Sequence, residues 1–167
     1  MRQLIPQLLR LSSRVALLLA FTCAAATVHG EASGRIAMTQ SNSGTLTLTA
    51  SAAGVEAEFM LDTGAGLVTL NEKRFDRIRR QSSVRRVRQV GARLANNRIQ
   101  LLDVYEIASF KVGPCELGPL EVAVMKGGGR NLLGLSALAA SESFSIQLSP
   151  PALSLSHCHG GEGIASL

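Results

Sequence analysis

The stretch FMLDTGAG, residues 59–66, is a run of bulky apolar residues that ends abruptly in Asp-Thr-Gly. Its first three residues are the end of a longer segment, VEAEFML (residues 55–61). This segment alternates charged and apolar residues and then becomes wholly apolar, a pattern that predicts a strand entering the protein interior. Asp62 therefore follows a buried strand, where loss of water penalises the charged form of a carboxylate. Gly64 allows a tight backbone turn, and Thr63 supplies a short hydroxyl. The stretch predicts a carboxylate positioned for chemistry, although a turn aspartate bonded to its own backbone would carry the same three residues.

The other segments predict a single, mostly β domain. The chain has 167 residues, 46% of them apolar, which suffices for one core and is too short for two ordinary domains. The strand patterns indicate a small closed antiparallel β-barrel with one or two short helices. The predicted elements are a hairpin over residues 45–61, a strand over 67–70, a helix over 71–80 capped by Asn71, a hairpin with its tip at Ala95-Asn96-Asn97, strands over 105–113 and 119–126, a short helix over 135–141, and closing strands over 143–149 and 151–157.

The first thirty residues predict export. Three arginines and no acid precede an uncharged apolar segment, residues 15–28, and small residues follow it, as in a secretory signal peptide. This segment is shorter than the roughly 20 residues that a bilayer-spanning helix needs. We therefore expect a signal peptide over residues 1–30 and a periplasmic or secreted protein, with an uncleaved membrane anchor as the alternative. A polar lead-in over residues 31–43, a folded domain over 44–157 and a disordered tail over 158–167 complete the predicted organisation.

Basic residues are concentrated in one part of the chain. The formal net charge is +5, and residues 73–98, from Lys73 to Arg98, hold ten basic residues against one acid, Asp76. The run lacks the repeated aromatic residues that a nucleic-acid surface favours, so we expect no nucleic-acid binding. A solvated helix face and strand edge is the preferred interpretation, and a weak contact with an anionic membrane surface is the alternative.

The cysteines and histidines give no sign of a metal or cofactor. Cys23 lies in the predicted signal peptide, which leaves Cys115 and Cys158 either paired or free in an oxidising compartment. His157 and His159 flank Cys158, but neighbours on a strand point to opposite faces and no further ligand cluster accompanies them. No G-x-S-x-G motif supports a Ser-His-Asp site. We expect no metal and no cofactor.

Two motifs and a hairpin together resemble the retropepsin-like aspartic proteases, including their exported bacterial branch. FMLDTGAG matches the family's apolar strand that runs into Asp-Thr-Gly-Ala. About seventy residues later, NLLGLSAL (residues 131–138) matches its paired apolar residues followed by glycine and a short helix. Between them, the hairpin over residues 89–98 is placed where the family has its flap. The resemblance covers about residues 44–156; Gly66 departs from it, because a polar residue is often found there.

The resemblance implies a role for each matching residue. Asp62, Thr63 and Gly64 would form the catalytic loop, in which Asp62 pairs with Asp62 of the partner subunit and Thr63 joins the two loops of a homodimer. The segment Leu132-Leu133-Gly134 would support that loop by packing against it. Substrate would contact Ala65 and the flap-tip residues Asn96 and Asn97.

The function that follows is an exported aspartic endopeptidase that acts on peptides or proteins as a homodimer. One alternative is a catalytically silent retropepsin-like domain that binds or assembles in the cell envelope. Another is a basic envelope protein that docks on anionic lipid through residues 73–98. The protease requires Asp62, whereas lipid docking would depend on salt and not on Asp62.

Overall fold

The computed structural model describes residues 34–94 and 96–156. The predicted signal peptide, the predicted tail and the His157-Cys158-His159 segment lie outside the described residues. The two helices are α1 (Glu72–Gln81) and α2 (Leu135–Leu138). The strands are β1 (Gly34–Ala37), β2 (Thr39–Gln40), β3 (Leu46–Ala52), β4 (Val55–Leu61), β5 (Val68–Asn71), β6 (Val84–Arg93), β7 (Ile99–Ile107), β8 (Phe110–Val112), β9 (Cys115–Glu116), β10 (Leu120–Met125), β11 (Leu132–Leu133), β12 (Phe144–Leu148) and β13 (Pro151–Leu155).

The strands form a large sheet and a small one. The large sheet has the order β6-β7-β10-β5-β11-β4-β3-β8-β9, with β2 also paired to β3, and the small sheet has the order β1-β13-β12. Most pairings are antiparallel, while β10 with β5 and β11 with β4 are parallel. The predicted mostly β fold is confirmed. The predicted closure into a barrel is not found, because no pairing among the described strands joins β6 to β9.

The β3–β4 hairpin follows directly from its alternating sequence. Leu48 pairs with Phe59, and both side chains are buried. Ala53 and Gly54 both have positive φ angles, of 46° and 80°, which is the turn geometry that suits a two-residue hairpin. The Phe59 ring meets Phe110 edge to face, with centroids 5.5 Å apart. This packing anchors β4, the strand that leads to Asp62.

Helix α1 begins where the sequence predicts. The Asn71 side chain accepts a hydrogen bond from the Arg74 N–H at 2.9 Å and so caps the first turn. Phe75 and Ile78 are buried, and Phe75 packs against Tyr105 with ring centroids 4.4 Å apart. The basic residues are therefore left on the outer face. Within the described residues, no helix is long and apolar enough to cross a membrane.

The small sheet starts earlier than the sequence predicts. β1 lies inside the predicted polar lead-in, pairs with β13 and buries Ile36 in the core. The short segment GRIA carries too few alternating residues to be recognised as a strand by itself. Two other predicted elements differ from the structure: residues 105–113 are divided between β7, which begins earlier, and β8, and α2 ends at Leu138 instead of residue 141. Cys115 is buried and disulfide-bonded. Cys158, which the sequence left either paired with Cys115 or free, lies outside the described residues.

Candidate active site

The Asp62 loop turns tightly at the end of β4. Asp62 Oδ1 accepts a hydrogen bond from the Gly64 N–H at 2.9 Å, and the Asp62 carbonyl accepts one from the Ala65 N–H at 3.1 Å. The turn interpretation and the catalytic interpretation of Asp62 are thus compatible. Asp62 is half-buried and Thr63 and Gly64 are exposed. The carboxylate is less desolvated in the single chain than its position after a buried strand suggested, because the loop faces an open groove.

The segment Leu132-Leu133-Gly134 runs directly beside this loop. Leu132 pairs with Met60 in β4 and with Thr69 in β5, so β11 lies between those two strands. The Asp62 N–H donates to the Leu133 carbonyl at 3.1 Å, and the Leu133 side chain is fully buried. The position of the Asp62 carboxylate is therefore tied to the core through a backbone hydrogen bond.

Gly134 allows the backbone of the Asp62 loop to contact the backbone at the start of α2 directly. A Cβ atom at this position would lie 2.3 Å from the Leu67 carbonyl oxygen and 2.8 Å from the Ala65 carbonyl oxygen. These distances are too short for any side chain, so only glycine fits here. Immediately after Gly134, the Leu135 N–H donates to the Ala65 carbonyl at 2.8 Å. The Ser136 N–H donates to Gly66 at 3.0 Å. The first turn of α2 thus supplies hydrogen bonds to the Asp62 loop.

Two supporting residues were not predicted from the sequence. Asn131 is buried, and its Oδ1 accepts from the Asn71 N–H at 3.0 Å while its Nδ2 donates to the Glu58 carbonyl at 2.9 Å. Ser136 Oγ accepts from the Val68 N–H at 3.0 Å. Asn131 stands directly before the apolar residues of NLLG, and this position could have indicated a buried amide with hydrogen-bond partners.

A groove of about 640 Å³ lies between the Asp62 loop and the hairpin of β6 and β7. Asp62 is the only carboxylate among the described residues that line it. The other lining residues are mainly apolar or small: Met60, Gly64, Ala65, Gly66, Leu67, Thr69, Arg88, Val90, Gly91, Ala92, Arg93, Leu94, Leu102, Ala123, Met125 and Leu132. The groove can therefore hold an extended chain with apolar side chains above a single carboxylate.

The predicted flap-tip residues Asn96 and Asn97 are not among the residues that line this groove. Asn97 has a positive φ of 67° and accepts from Arg93 Nη1 at 3.0 Å, while Asn96 accepts from the Arg98 N–H at 3.1 Å. Both asparagines are exposed and shape the turn. Of the three predicted substrate contacts, Ala65 lines the groove, and the contacts of Asn96 and Asn97 with substrate stay predictions.

The other two aspartates are engaged elsewhere. Asp76 pairs with Arg79 at 2.9 Å on the surface of α1. Asp103 accepts from Arg86 Nη2 at 2.6 Å and lies 3.6 Å from Lys126 Nζ. The Arg86 hydrogen bond holds the pKa of Asp103 below its usual range. Strand alternation sends the neighbouring Leu102 toward the groove and Asp103 to the opposite face, so Asp103 does not supply a second carboxylate there.

A strand that ends in Asp-Thr-Gly, supported by an apolar-apolar-Gly strand and facing a groove beneath a hairpin, defines the class of aspartic proteases. The family model described as "gag-polyprotein putative aspartyl protease" matches residues 48–140. This match spans more than half of the chain, and the chain belongs to this family. The predicted membership among retropepsin-like aspartic proteases is confirmed.

The fold is similar to the crystal structure of a retropepsin-like aspartic protease from Rickettsia conorii. The two share 21% sequence identity with a TM-score of 0.57, over 74% of this chain and 92% of that chain. At this identity the similarity concerns the fold. No curated protein matches the chain.

Proposed function

We infer that this protein is an aspartic endopeptidase whose active form is a homodimer with Asp62 of both subunits at one site. The observation that carries the proposal is that Asp62 is the only carboxylate among the described residues lining the groove. Hydrolysis of a peptide bond by this class of site needs two carboxylates that share one proton. A second copy of the same loop supplies the missing one.

The chemistry follows from the carboxylate pair. The charged carboxylate takes a proton from a bound water, the water oxygen attacks the peptide carbonyl carbon, and the neutral carboxylate donates its proton to the carbonyl oxygen. The Gly64 N–H fixes Asp62 Oδ1, whereas Asp62 Oδ2 has no hydrogen-bond partner among the described residues. One oxygen is thus held while the other is available to the water or to the partner subunit.

Two exposed features support pairing of the chains. Thr63 lies on the surface of the loop, where its hydroxyl can reach a second copy. β12 is an edge strand, and Phe144, Ile146 and Leu148 are 41%, 38% and 62% exposed along one face of it. An uncovered apolar edge strand favours pairing with another chain.

The groove indicates the class of substrate. An extended peptide would lie between the Asp62 loop and the inner face of the β6–β7 hairpin, where Val90, Ala92 and Leu102 line the groove. Arg88 also lines the groove, but its guanidinium pairs with Glu121. The substrate is therefore a peptide or unfolded protein segment with apolar side chains near the bond that is cut.

A peptide-library digest at a series of pH values from about 4 to about 7 tests the activity, because the proposed mechanism requires the carboxylate pair to hold a single proton. Asp62→Asn removes the group that accepts the water's proton, and we expect cleavage to fall by at least about 100-fold with the fold unchanged. Asp76→Asn is the matched control, because Asp76 lies on α1 and not in the groove. Equal cleavage by Asp62→Asn and the parent would refute the assignment.

The silent binding domain gives a different result in the same assay. It would bind peptides in the groove without any cleavage that depends on Asp62.

Export is also part of the proposal: residues 1–35 fused to a reporter that is active only outside the cytoplasm should give activity, because a basic head precedes an apolar segment. A silent reporter would refute export and leave the protease assignment intact.

A further inference from the structure

Eight of the ten basic residues between Lys73 and Arg98 fall into two groups with different surroundings. On β6, three arginines each pair with an acid on β7 or on β10, the next strand beyond it. Arg85 meets Glu106 at 2.8 Å, Arg86 meets Asp103 at 2.6 Å, and Arg88 pairs with Glu121. The positive charge of β6 is therefore largely balanced within the protein.

The charge of α1 is not balanced in this way. Arg79 pairs with Asp76 at 2.9 Å. Among the described residues, no carboxylate lies within ion-pair distance of the other four cations of the helix. These four cations, which we name the α1 basic face, are Lys73, Arg74, Arg77 and Arg80, and they line a shallow depression of about 510 Å³ together with Asn71 and Asp76.

The side chains of the α1 basic face indicate which class of partner it can bind. The apolar residues of α1, Phe75 and Ile78, are buried in the core, so the outer face carries only polar and charged side chains. A specific protein interface needs an apolar or aromatic centre. Single-stranded nucleic acid needs aromatic side chains on which bases stack. A layer of anionic headgroups needs neither, because positive charge alone attracts it.

We propose that the α1 basic face binds the anionic headgroups of a lipid surface. The contact is peripheral, since no apolar side chain of the helix is free to insert. It also leaves the groove accessible. Val122 and Val124 of β10 pack in the core cluster that contains Phe75, whereas Ala123 lines the groove, so α1 and the groove lie on opposite faces of this strand.

The test measures partition of the full chain into vesicles of phosphatidylglycerol mixed with phosphatidylcholine, relative to vesicles of phosphatidylcholine alone. The triple variant Lys73→Gln/Arg77→Gln/Arg80→Gln removes three exposed cations of the face and spares half-buried Arg74, which reaches the Glu56 carbonyl. The matched control Arg98→Gln/Lys111→Gln/Arg130→Gln removes three exposed cations elsewhere. Circular dichroism checks that both variants are folded.

We expect the parent to prefer the anionic vesicles and to lose this preference when salt rises from about 0.05 M to about 0.5 M. Removal of each cation should weaken partition about fivefold, which gives about 100-fold for the α1 variant. The control variant should lose far less. An equal loss in both variants, or unchanged partition of the α1 variant, would overturn the proposal.

A DNA duplex of about 20 base pairs, measured in parallel, separates the remaining class of partner. If the α1 variant loses binding to the duplex and keeps its binding to anionic vesicles, the α1 basic face binds nucleic acid and the lipid proposal is wrong. The lipid measurement does not involve Asp62. Its result is therefore independent of whether the chain cleaves peptides.

Discussion

The floor and the roof of the groove are built in opposite ways. The floor is the Asp62 loop, held by backbone hydrogen bonds to Leu133 and to the first turn of α2, and backed by fully buried side chains. The roof is the β6–β7 hairpin, where Ile99 and Leu101 are 67% and 64% exposed near the tip. Its base is joined by ion pairs on the surface, such as that of Arg86 with Asp103.

This difference separates fixed from adjustable parts of the site. Catalytic carboxylates must be held to within a fraction of an ångström, which the packed core can ensure. A hairpin tip with few buried side chains opens at a low free-energy cost, so the proposed substrate can enter beneath it. Substitutions in the floor should therefore affect global stability strongly, and substitutions in the roof should affect it weakly.

The largest effect is expected at Gly134. Gly134→Ala places a Cβ atom 2.3 Å from the Leu67 carbonyl oxygen, and the loop and α2 must separate. We expect a loss of about 3 kcal/mol or more in the free energy of unfolding, measured by urea denaturation. Gly66→Ala is the control, because no atom lies within 4 Å of its added Cβ, and it should change stability by less than about 0.5 kcal/mol. Equal stability of the two variants would contradict the described packing.

A smaller effect is expected at Asn131. Asn131→Ala leaves the Asn71 N–H and the Glu58 carbonyl without their partners in a buried site. The expected loss is about 2–4 kcal/mol in the free energy of unfolding. The matching change in the roof, Asn96→Ala, removes one exposed hydrogen bond to the Arg98 N–H and should cost less than about 1 kcal/mol. If Asn96→Ala is the more harmful change, the contrast between floor and roof is wrong.

The smallest effect is expected at the base of the roof and depends on pH. Arg86 lowers the pKa of Asp103 in the folded protein. The pair therefore stabilises the fold at pH values above the ordinary aspartate pKa of about 4. This stabilisation is lost as the pH falls through the lowered pKa of the folded protein. Asp103→Asn should therefore be less stable than the parent at neutral pH, and the difference should persist to about pH 4 before it disappears. Urea midpoints across this range measure it. A difference that already vanishes near pH 6 would contradict the pairing.

The sequence predicted those parts of the fold that depend on local patterns. The β3–β4 hairpin and α1 were predicted because alternation, turn residues and the Asn71 cap lie within a few neighbouring positions. The Asp62 turn was predicted for the same reason. Similarity to a known family, and not periodicity, indicated that residues 132–134 lie beside Asp62, seventy residues earlier in the chain.

The parts that were missed depend on long-range pairing. β1 has only four residues, and its identity as a strand follows from its pairing with β13. The partners of Asp103 follow from the register of β6 against β7, which shifts at Val87 between Arg86 and Arg88. No pattern in the sequence predicts such a bulge. The polar contacts of Asn131 likewise require β4, β5 and β11 to be assembled first.

The shared site of two subunits is the central claim, and one mixing experiment tests it most directly. Parent chains are mixed with a ninefold excess of Asp62→Asn chains, allowed to exchange, and assayed for peptide cleavage per parent chain. If each site needs Asp62 from both subunits, random pairing should lower that activity about tenfold, because most parent chains are then in mixed dimers. Unchanged activity per parent chain after exchange has been verified would show that one chain contains a complete site, and would contradict this account.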